Sequence, residues 1–250
     1  MSQRASVLAG LAGVVALSWT WLIAASRDMY GSMQGLSAWM MAATWNLRYA
    51  VLIFAMWVAM MVGMMLPSAT PAILLYGRVL RTSPQVEAPV ARTYAFVAGY
   101  LLAWAAFSLA ATILQYGLAS AALLSPMMVS ASPKLGAAIL LAAGLYQLTP
   151  MKRACLAHCR GAADFITRHF RPGVGGALRM GAHHGLYCVG CCWALMLLLF
   201  FGGVMSLAWI AAITIFVLLE KLLPFAAQTG KVSGALLIGA GVLLPWLESG

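Results

Sequence analysis

Seven apolar segments with almost no charge inside them constrain this chain more than any other feature. Hydrophobic residues make up 64% of its 250 positions and charged residues 8%, whereas a soluble domain carries about 25% charged residues. In lipid, only helices and closed barrels satisfy their own backbone hydrogen bonds. The alternating ten-residue pattern that membrane strands need is absent from the sequence. We therefore predict an all-α fold, a polytopic transmembrane helical bundle of about seven spans.

The predicted spans follow one another along the whole chain and leave no soluble domain of any size. They are Val7–Ala25, Tyr49–Leu66, Tyr94–Leu118, Leu135–Leu148, Leu186–Phe201, Val204–Leu219 and Val232–Trp246. The first is longer than a signal-peptide core of about 7–15 residues, so we expect an uncleaved helix. For the second span the sequence leaves two courses open: continuation past Pro67 to Tyr76, or a break at Pro67, because proline frees a backbone carbonyl. Residues 1–250 are thus predicted to form a single transmembrane domain with a basic cytoplasmic loop at 150–183, which can hold a short interfacial helix around Lys152–His169.

Basic residues fall mainly on one side of the predicted spans, and this predicts the orientation. With the N-terminus inside, 12 of the 15 lysines and arginines lie in inner segments, as retention of positive charge in the cytoplasm requires. We therefore predict an N-in, C-out protein of a bacterial-type inner (plasma) membrane. The formal net charge of +10 is then explained by topology and by contact with membrane lipids, without a nucleic-acid partner.

Cysteines and histidines are crowded into one stretch: all five cysteines and all four histidines lie between Cys155 and Cys192. In the predicted topology this stretch is cytoplasmic or just inside the membrane, where thiols stay reduced and metal or redox chemistry is favoured over disulfides. On a helix, residues three and four positions apart share a face. The candidate metal ligands are Cys188, Cys191, Cys192, Cys155, Cys159, His184 and His158. The competing interpretation is small buried cysteines and solvated or interfacial histidines.

A methionine stripe on the second span is the second source of sulfur. Met60 and Met64 lie one turn apart with Met65 beside them, and the predicted orientation brings them to the same inner depth as Cys188. Soft thiolate and thioether ligands select copper(I), zinc or iron–sulfur centres. Methionine in quantity favours copper(I), with zinc and iron–sulfur as alternatives. The competing interpretation is that these methionines only fill the core.

Glu220 and Lys221 form the other candidate site, at the inner end of the sixth predicted span. A carboxylate at membrane depth is costly and is usually paired or functional. One interpretation is a functional role. The other is an ion pair between these two neighbours at the interface, with the Lys221 side chain reaching toward the headgroups.

Several strings in this chain resemble a known family. They are Ala143–Arg160, Gly176–Met196 and Gly202–Pro224, and the stretch Met60–Pro71 looks like the same family's N-terminal signature. The sequence resembles the predicted metal-binding integral membrane proteins, domain of unknown function 2182, over most of its length. The resemblance implies a membrane fold and metal binding. Of the histidine pair, the family pattern needs only the residue next to the glycine, here His184.

These observations lead to one functional hypothesis and two alternatives. The first is a copper(I)-handling membrane protein, a transporter or an accessory that receives or delivers copper, and not an enzyme. Its partners would be the metal ion and a metallochaperone or partner membrane protein. The cysteines would bind the metal, and Met60, Met64 and Met65 would form a route through the membrane. The alternatives are a membrane thiol–disulfide oxidoreductase and a non-catalytic assembly or accessory protein.

Overall fold

The described part of the chain is all α-helical, as predicted. The computed structural model describes residues 3–31, 35, 45–82, 87–223 and 226–247, and within them it has nine helices and no extended strand. In chain order the helices are α1 (Gln3–Met29), α2 (Leu47–Thr82), α3 (Pro89–Ser120), α4 (Pro133–Leu148), α5 (Pro150–Arg160), α6 (Ala162–His169), α7 (Gly173–Gly202), α8 (Leu207–Leu222) and α9 (Ala226–Leu247).

Five of these helices, α1, α2, α3, α7 and α9, are long and apolar enough to cross a membrane. Helices α4 and α8 have 16 residues each, and at about 1.5 Å per residue they are shorter than a hydrocarbon core of about 30 Å. Six of the seven predicted spans lie within a helix of the structure, and the sixth, Val204–Leu219, begins three residues before α8. The count of seven spans and the N-in orientation stay predictions.

Of the two courses that the sequence leaves open at Pro67, the structure has the continuation: α2 runs without interruption through Pro67 and Pro71. A proline inside a helix leaves the carbonyl four residues earlier without its partner. For Pro67 that carbonyl belongs to Gly63, and the indole Nε1 of Trp19 on α1 donates to it at 3.2 Å. A neighbouring helix thus restores the lost hydrogen bond, as happens at prolines in membrane helices.

The predicted loop at 150–183 is largely helical, with two helices where the sequence predicts one short interfacial helix around Lys152–His169. Thr149 begins α5, since its hydroxyl accepts the Lys152 amide at 3.2 Å and Pro150 occupies the first helical position, an arrangement that favours helix initiation. Gly161 separates α5 from α6. Helix α7 begins at Gly173, where φ is +74°, rather than at Leu186, so the fifth predicted span has an additional N-terminal part.

Helix α7 is the central element and packs against α3, α4, α5, α6 and α8. Its contact with α3 depends on glycine, because a Cβ on Gly181 would overlap the backbone of Phe96, and one on Gly99 would overlap Leu178. Small residues of this kind let membrane helices approach closely. Gly144 on α4 and Gly234 on α9 do the same for that pair. The close packing holds one face of α7 fixed against its neighbours.

Candidate metal centre

The buried face of α7 carries four of the predicted ligands: His184, Cys188, Cys191 and Cys192. Each is only 1% exposed, and their spacing of three and four residues places them on one side of the helix. All five cysteines of the chain are free thiols in the structure. The predicted grouping of these residues on one helix face therefore agrees with the geometry.

Cys188 lies at the centre of the cluster, and its sulfur contacts polar groups of two other helices. The Nζ of Lys221 on α8 donates to its Sγ at 2.9 Å, and the hydroxyl of Tyr100 on α3 lies 3.1 Å from the same sulfur. Lys221 also donates to the Ser68 hydroxyl at 2.9 Å. An ammonium buried in this way needs an anionic or strongly accepting partner, and the thiolate form of Cys188 meets that need.

The other two thiols on this face are turned to the main chain. Cys191 donates to the Cys188 carbonyl at 3.0 Å, and Cys192 donates to the same oxygen at 2.9 Å. The Sγ of Cys192 also lies 3.9 Å from the Sδ of Met65 on α2. The thiols of Cys191 and Cys192 thus share one carbonyl acceptor, and the Met65 thioether lies beside Cys192.

Helix α5, which packs against α7, carries the two remaining cysteines. Cys159 interacts with both Cys188 and Cys191, and hydrogen bonding to these two, followed by burial, raises the pKa of its thiol. Cys155 lies against Gly190 of α7, where an added Cβ would come within 2.8 Å of its Sγ. Burial raises the pKa of the Cys155 thiol as well. The structure thus brings Cys159 to the cluster, with Cys155 packed one turn earlier on α5.

The methionine stripe of α2 is buried, with Met60, Met64 and Met65 at most 1% exposed. The Met65 thioether contacts Cys192, and the Met65 carbonyl accepts the Tyr100 hydroxyl at 3.1 Å and the Ser68 hydroxyl at 2.8 Å. Met60 and Met64 precede it on the same helix. The meeting of Met65 with the cysteine face is the contact that the sequence pattern predicted.

The two predicted histidines occupy different environments. His184 lies in a nest of rings, with its own ring 5.2 Å from Phe165 and 5.9 Å from Phe96. Its Nδ1 is buried and has no hydrogen-bond partner among the residues that the structure describes, which is uncommon for a polar atom. His158 is exposed; it stacks on Tyr187 at 4.4 Å and shares a hydrogen bond with the Ala154 carbonyl at 2.9 Å. It lies on the surface side of the helix pair α5 and α7.

Glu220 and Lys221 do not pair with each other, in contrast to one of the two interpretations of the sequence. Adjacent residues on a helix point in directions about 100° apart. Glu220 forms a buried ion pair with Lys152 of α5, which also donates to Gln147 of α4. Lys221 turns instead to Cys188. The neighbours therefore serve two separate polar clusters.

Sequence reasoning missed Tyr100 and Ser68, which stand beside Cys188 and Lys221. A single tyrosine and a single serine on other helices carry no spacing signal that could have identified them. Across the described residues, no three or more His, Cys, Asp or Glu side chains are arranged to hold a metal ion as they stand. The cluster does gather soft donors from three helices, and soft donors suit copper(I).

Comparison with known proteins adds one finding. A protein-family model with the description PpoB2, copper chaperone, matches residues 54–244. The matched range contains every candidate ligand named above. No curated protein and no solved structure matches this chain.

Proposed function

Since this chain belongs to the PpoB2 copper chaperone family, we propose that it is a membrane-integrated carrier that binds copper(I) through sulfur ligands and passes it to a partner. The proposal takes copper to be cargo rather than a resident cofactor. The resemblance to the domain of unknown function 2182 proteins belongs to the same proposal, since it too concerns metal binding in a membrane.

The observation that carries the proposal is the convergence of sulfur from three helices. Cys188 and Cys192 come from α7, Cys159 from α5 and Met65 from α2, and all four meet in one cluster. Two helical cysteines alone are often simple packing. Thiolate and thioether groups brought together from distant parts of the chain form a donor set that is soft throughout, which favours copper(I) over harder ions.

We assign Cys188, Cys191 and Cys192 as the first ligand set. Cys159 stands close enough to join them, and Cys155 with Cys159 forms the second pair. His184 lies one turn before Cys188 with an unpartnered ring nitrogen, so it is the imidazole placed to approach the same cluster. His158 on the outer side is assigned to first contact with the metal.

Loading the site changes its charges in a definite way. Copper(I) that binds Cys188 displaces Lys221 from the sulfur, since both approach the same lone pairs. Binding to Cys191 or Cys192 requires their thiol protons to leave for solvent, because the thiolate is the ligand form. The oxidation state of copper does not change, so no electron donor or acceptor is needed.

Delivery follows as ligand exchange among donors of graded affinity. Met60, Met64 and Met65 extend the line of sulfur along α2 from the cysteine cluster. A thioether binds copper(I) more weakly than a thiolate, so each transfer can be reversible, as a conduction path requires. We propose a metallochaperone or a partner membrane protein as the other party, with the chain in an N-in orientation in an inner membrane.

The test is elemental analysis of the full chain purified under reducing conditions with copper and zinc supplied. Wild type is expected to retain copper, and the variant C188S/C191S/C192S is expected to lose it. C155S removes one thiol of the second pair and keeps the first ligand set, so it is expected to hold less copper than wild type and more than the triple variant. Circular dichroism shows whether each variant is folded. A metal-free wild type, or a triple variant that holds as much copper as wild type, would refute the assignment.

One observation favours a second candidate, a thiol–disulfide oxidoreductase. Cys159 interacts with Cys188 and Cys191 across the α5–α7 contact, a placement that suits disulfide exchange between the two helices. Two thiols would lose two protons and two electrons to a quinone as the disulfide forms. Mass spectrometry of the protein after incubation with a quinone distinguishes the candidates. A Cys159–Cys188 disulfide that forms and is reversed by a dithiol, in a protein that holds no copper, would favour the oxidoreductase.

A further inference from the structure

A partly enclosed cavity of about 330 Å³ lies between α4, α5, α8 and α9. None of the five cysteines lines it, so it is separate from the candidate copper site. The buried ion pair of Lys152 and Glu220 forms part of its lining. Leu148 and Leu156 supply an apolar wall beside that pair.

Three further cations line the same cavity: Arg153, Arg160 and Lys231. All three are exposed, and none forms an ion pair within the described ranges of the chain. The cavity thus has four cations and one carboxylate in its lining, and the carboxylate is already paired with Lys152. In the part of the chain that the structure describes, the three outer cations have no protein counter-charge.

We propose that this cavity binds the phosphate group of an anionic phospholipid. Arginine matches the oxygens of phosphate with two parallel hydrogen bonds, and lysine adds a point charge. Basic pockets between membrane helices hold lipid headgroups in this manner. The apolar wall of Leu148 and Leu156 favours a lipid over a soluble phosphate ester, because it offers a surface for glycerol and the first acyl carbons.

The predicted orientation agrees with this ligand. Arg153, Arg160 and Lys231 all belong to segments that positive charge assigns to the inner side, where anionic lipids are abundant. A bound lipid would join α5 and α9 at the rim of the cavity. This inference goes beyond copper handling and does not depend on it.

The experiment uses the full chain, delipidated in detergent and titrated with phosphatidylglycerol while native mass spectrometry counts bound lipids. The cavity variant replaces its three outer cations, as R153Q/R160Q/K231Q. The control removes the same charge from exposed arginines that do not line the cavity, as R78Q/R81Q/R179Q. Phosphatidylcholine and glycerol 3-phosphate are the comparison ligands, the first without net charge and the second without acyl chains.

The dissociation constant for the first phosphatidylglycerol is expected to rise roughly 10- to 100-fold in the cavity variant and less than about 3-fold in the control. Equal weakening in both variants would overturn the proposal, since it would mean general surface attraction. Equal binding of phosphatidylcholine and phosphatidylglycerol to wild type would also overturn it. Glycerol 3-phosphate that binds as tightly as the lipid, with the same loss in the cavity variant, would overturn the lipid source and assign the site to soluble phosphate esters.

Discussion

Replacing Glu220 by glutamine tests whether the ion pair with Lys152 holds α5 against α8. The side chains of the two residues are each only 2% exposed, so neither can turn to water when its partner is lost. Glutamine keeps the size of the side chain and removes its charge. In the variant, Lys152 keeps Gln147 as its acceptor but has no counter-charge.

The magnitude follows from the burial of the pair. Removing one partner of a buried ion pair costs about 3–5 kcal/mol, because the remaining charge is left uncompensated. In a chain of this size about 1 kcal/mol lowers Tm by roughly 2–4 °C. The E220Q variant is therefore expected to melt roughly 6–20 °C below wild type. Replacing both residues, as K152M/E220Q, removes both charges and is expected to recover most of that loss.

Thermal unfolding in detergent, followed by circular dichroism, measures these values for wild type, both single variants and the double variant. Copper content measured on the same samples is expected to stay unchanged, because the polar contacts that the structure gives this pair are to each other and to Gln147. A single variant that melts within about 2 °C of wild type would contradict the reasoning. So would a double variant whose loss equals the sum of the two single losses, since independent residues behave that way.

Three more predictions concern other parts of the molecule. M65L removes the thioether beside Cys192 and is expected to weaken copper binding by about tenfold, measured by competition with a chelator. M61L changes an equally buried methionine on the same helix and is expected to leave binding within about twofold, since Leu and Met are similar in volume. G181A is expected to destabilise the α3–α7 contact by about 3 kcal/mol, whereas G13A, with open space around it, does not lower Tm; equal melting of the two would contradict this. Burial raises the pKa of the Cys155 thiol and keeps it protonated at neutral pH. Iodoacetamide labelling of that residue, read by peptide mass spectrometry, is therefore expected to require a higher pH than labelling of a free cysteine in solution.

The helical fold and the cysteine face of α7 were predictable because both follow from periodicity. Apolar runs in lipid permit little except helices, and residues at positions i, i+3 and i+4 share a face in any helix. The approach of Met65 to Cys192 was predictable only through topology, because it required α2 and α7 to present sulfur at the same depth. The depth at which each helix presents its sulfur atoms follows from the direction in which its span crosses the membrane.

The partners of Lys221 and Glu220 could not be predicted from their own positions. Each of them bonds to a residue far along the chain, Lys152 for Glu220 and Cys188 for Lys221, and no local pattern encodes which helices meet. The choice between a break and a continuation at Pro67 could not be made for the same reason. The Gly63 carbonyl that Pro67 leaves without a partner accepts a hydrogen bond from Trp19 of another helix, so the proline alone did not decide the outcome.

The contact between Lys221 and Cys188 bears on how a carrier of this kind releases its metal. A buried thiolate left bare when copper departs would carry a desolvation penalty of several kcal/mol, and the metal would then be held too tightly to pass on. An ammonium 2.9 Å from the sulfur replaces the departing positive charge with another. In the proposed cycle the Cys188 thiolate therefore has a positive partner in both the empty and the loaded state. The difference in free energy between the two states is then set by the bonds to copper rather than by the burial of an unpaired anion. Cys191 and Cys192 donate their thiol protons to the Cys188 carbonyl. In the empty state of this cycle they are therefore neutral and need no counter-charge.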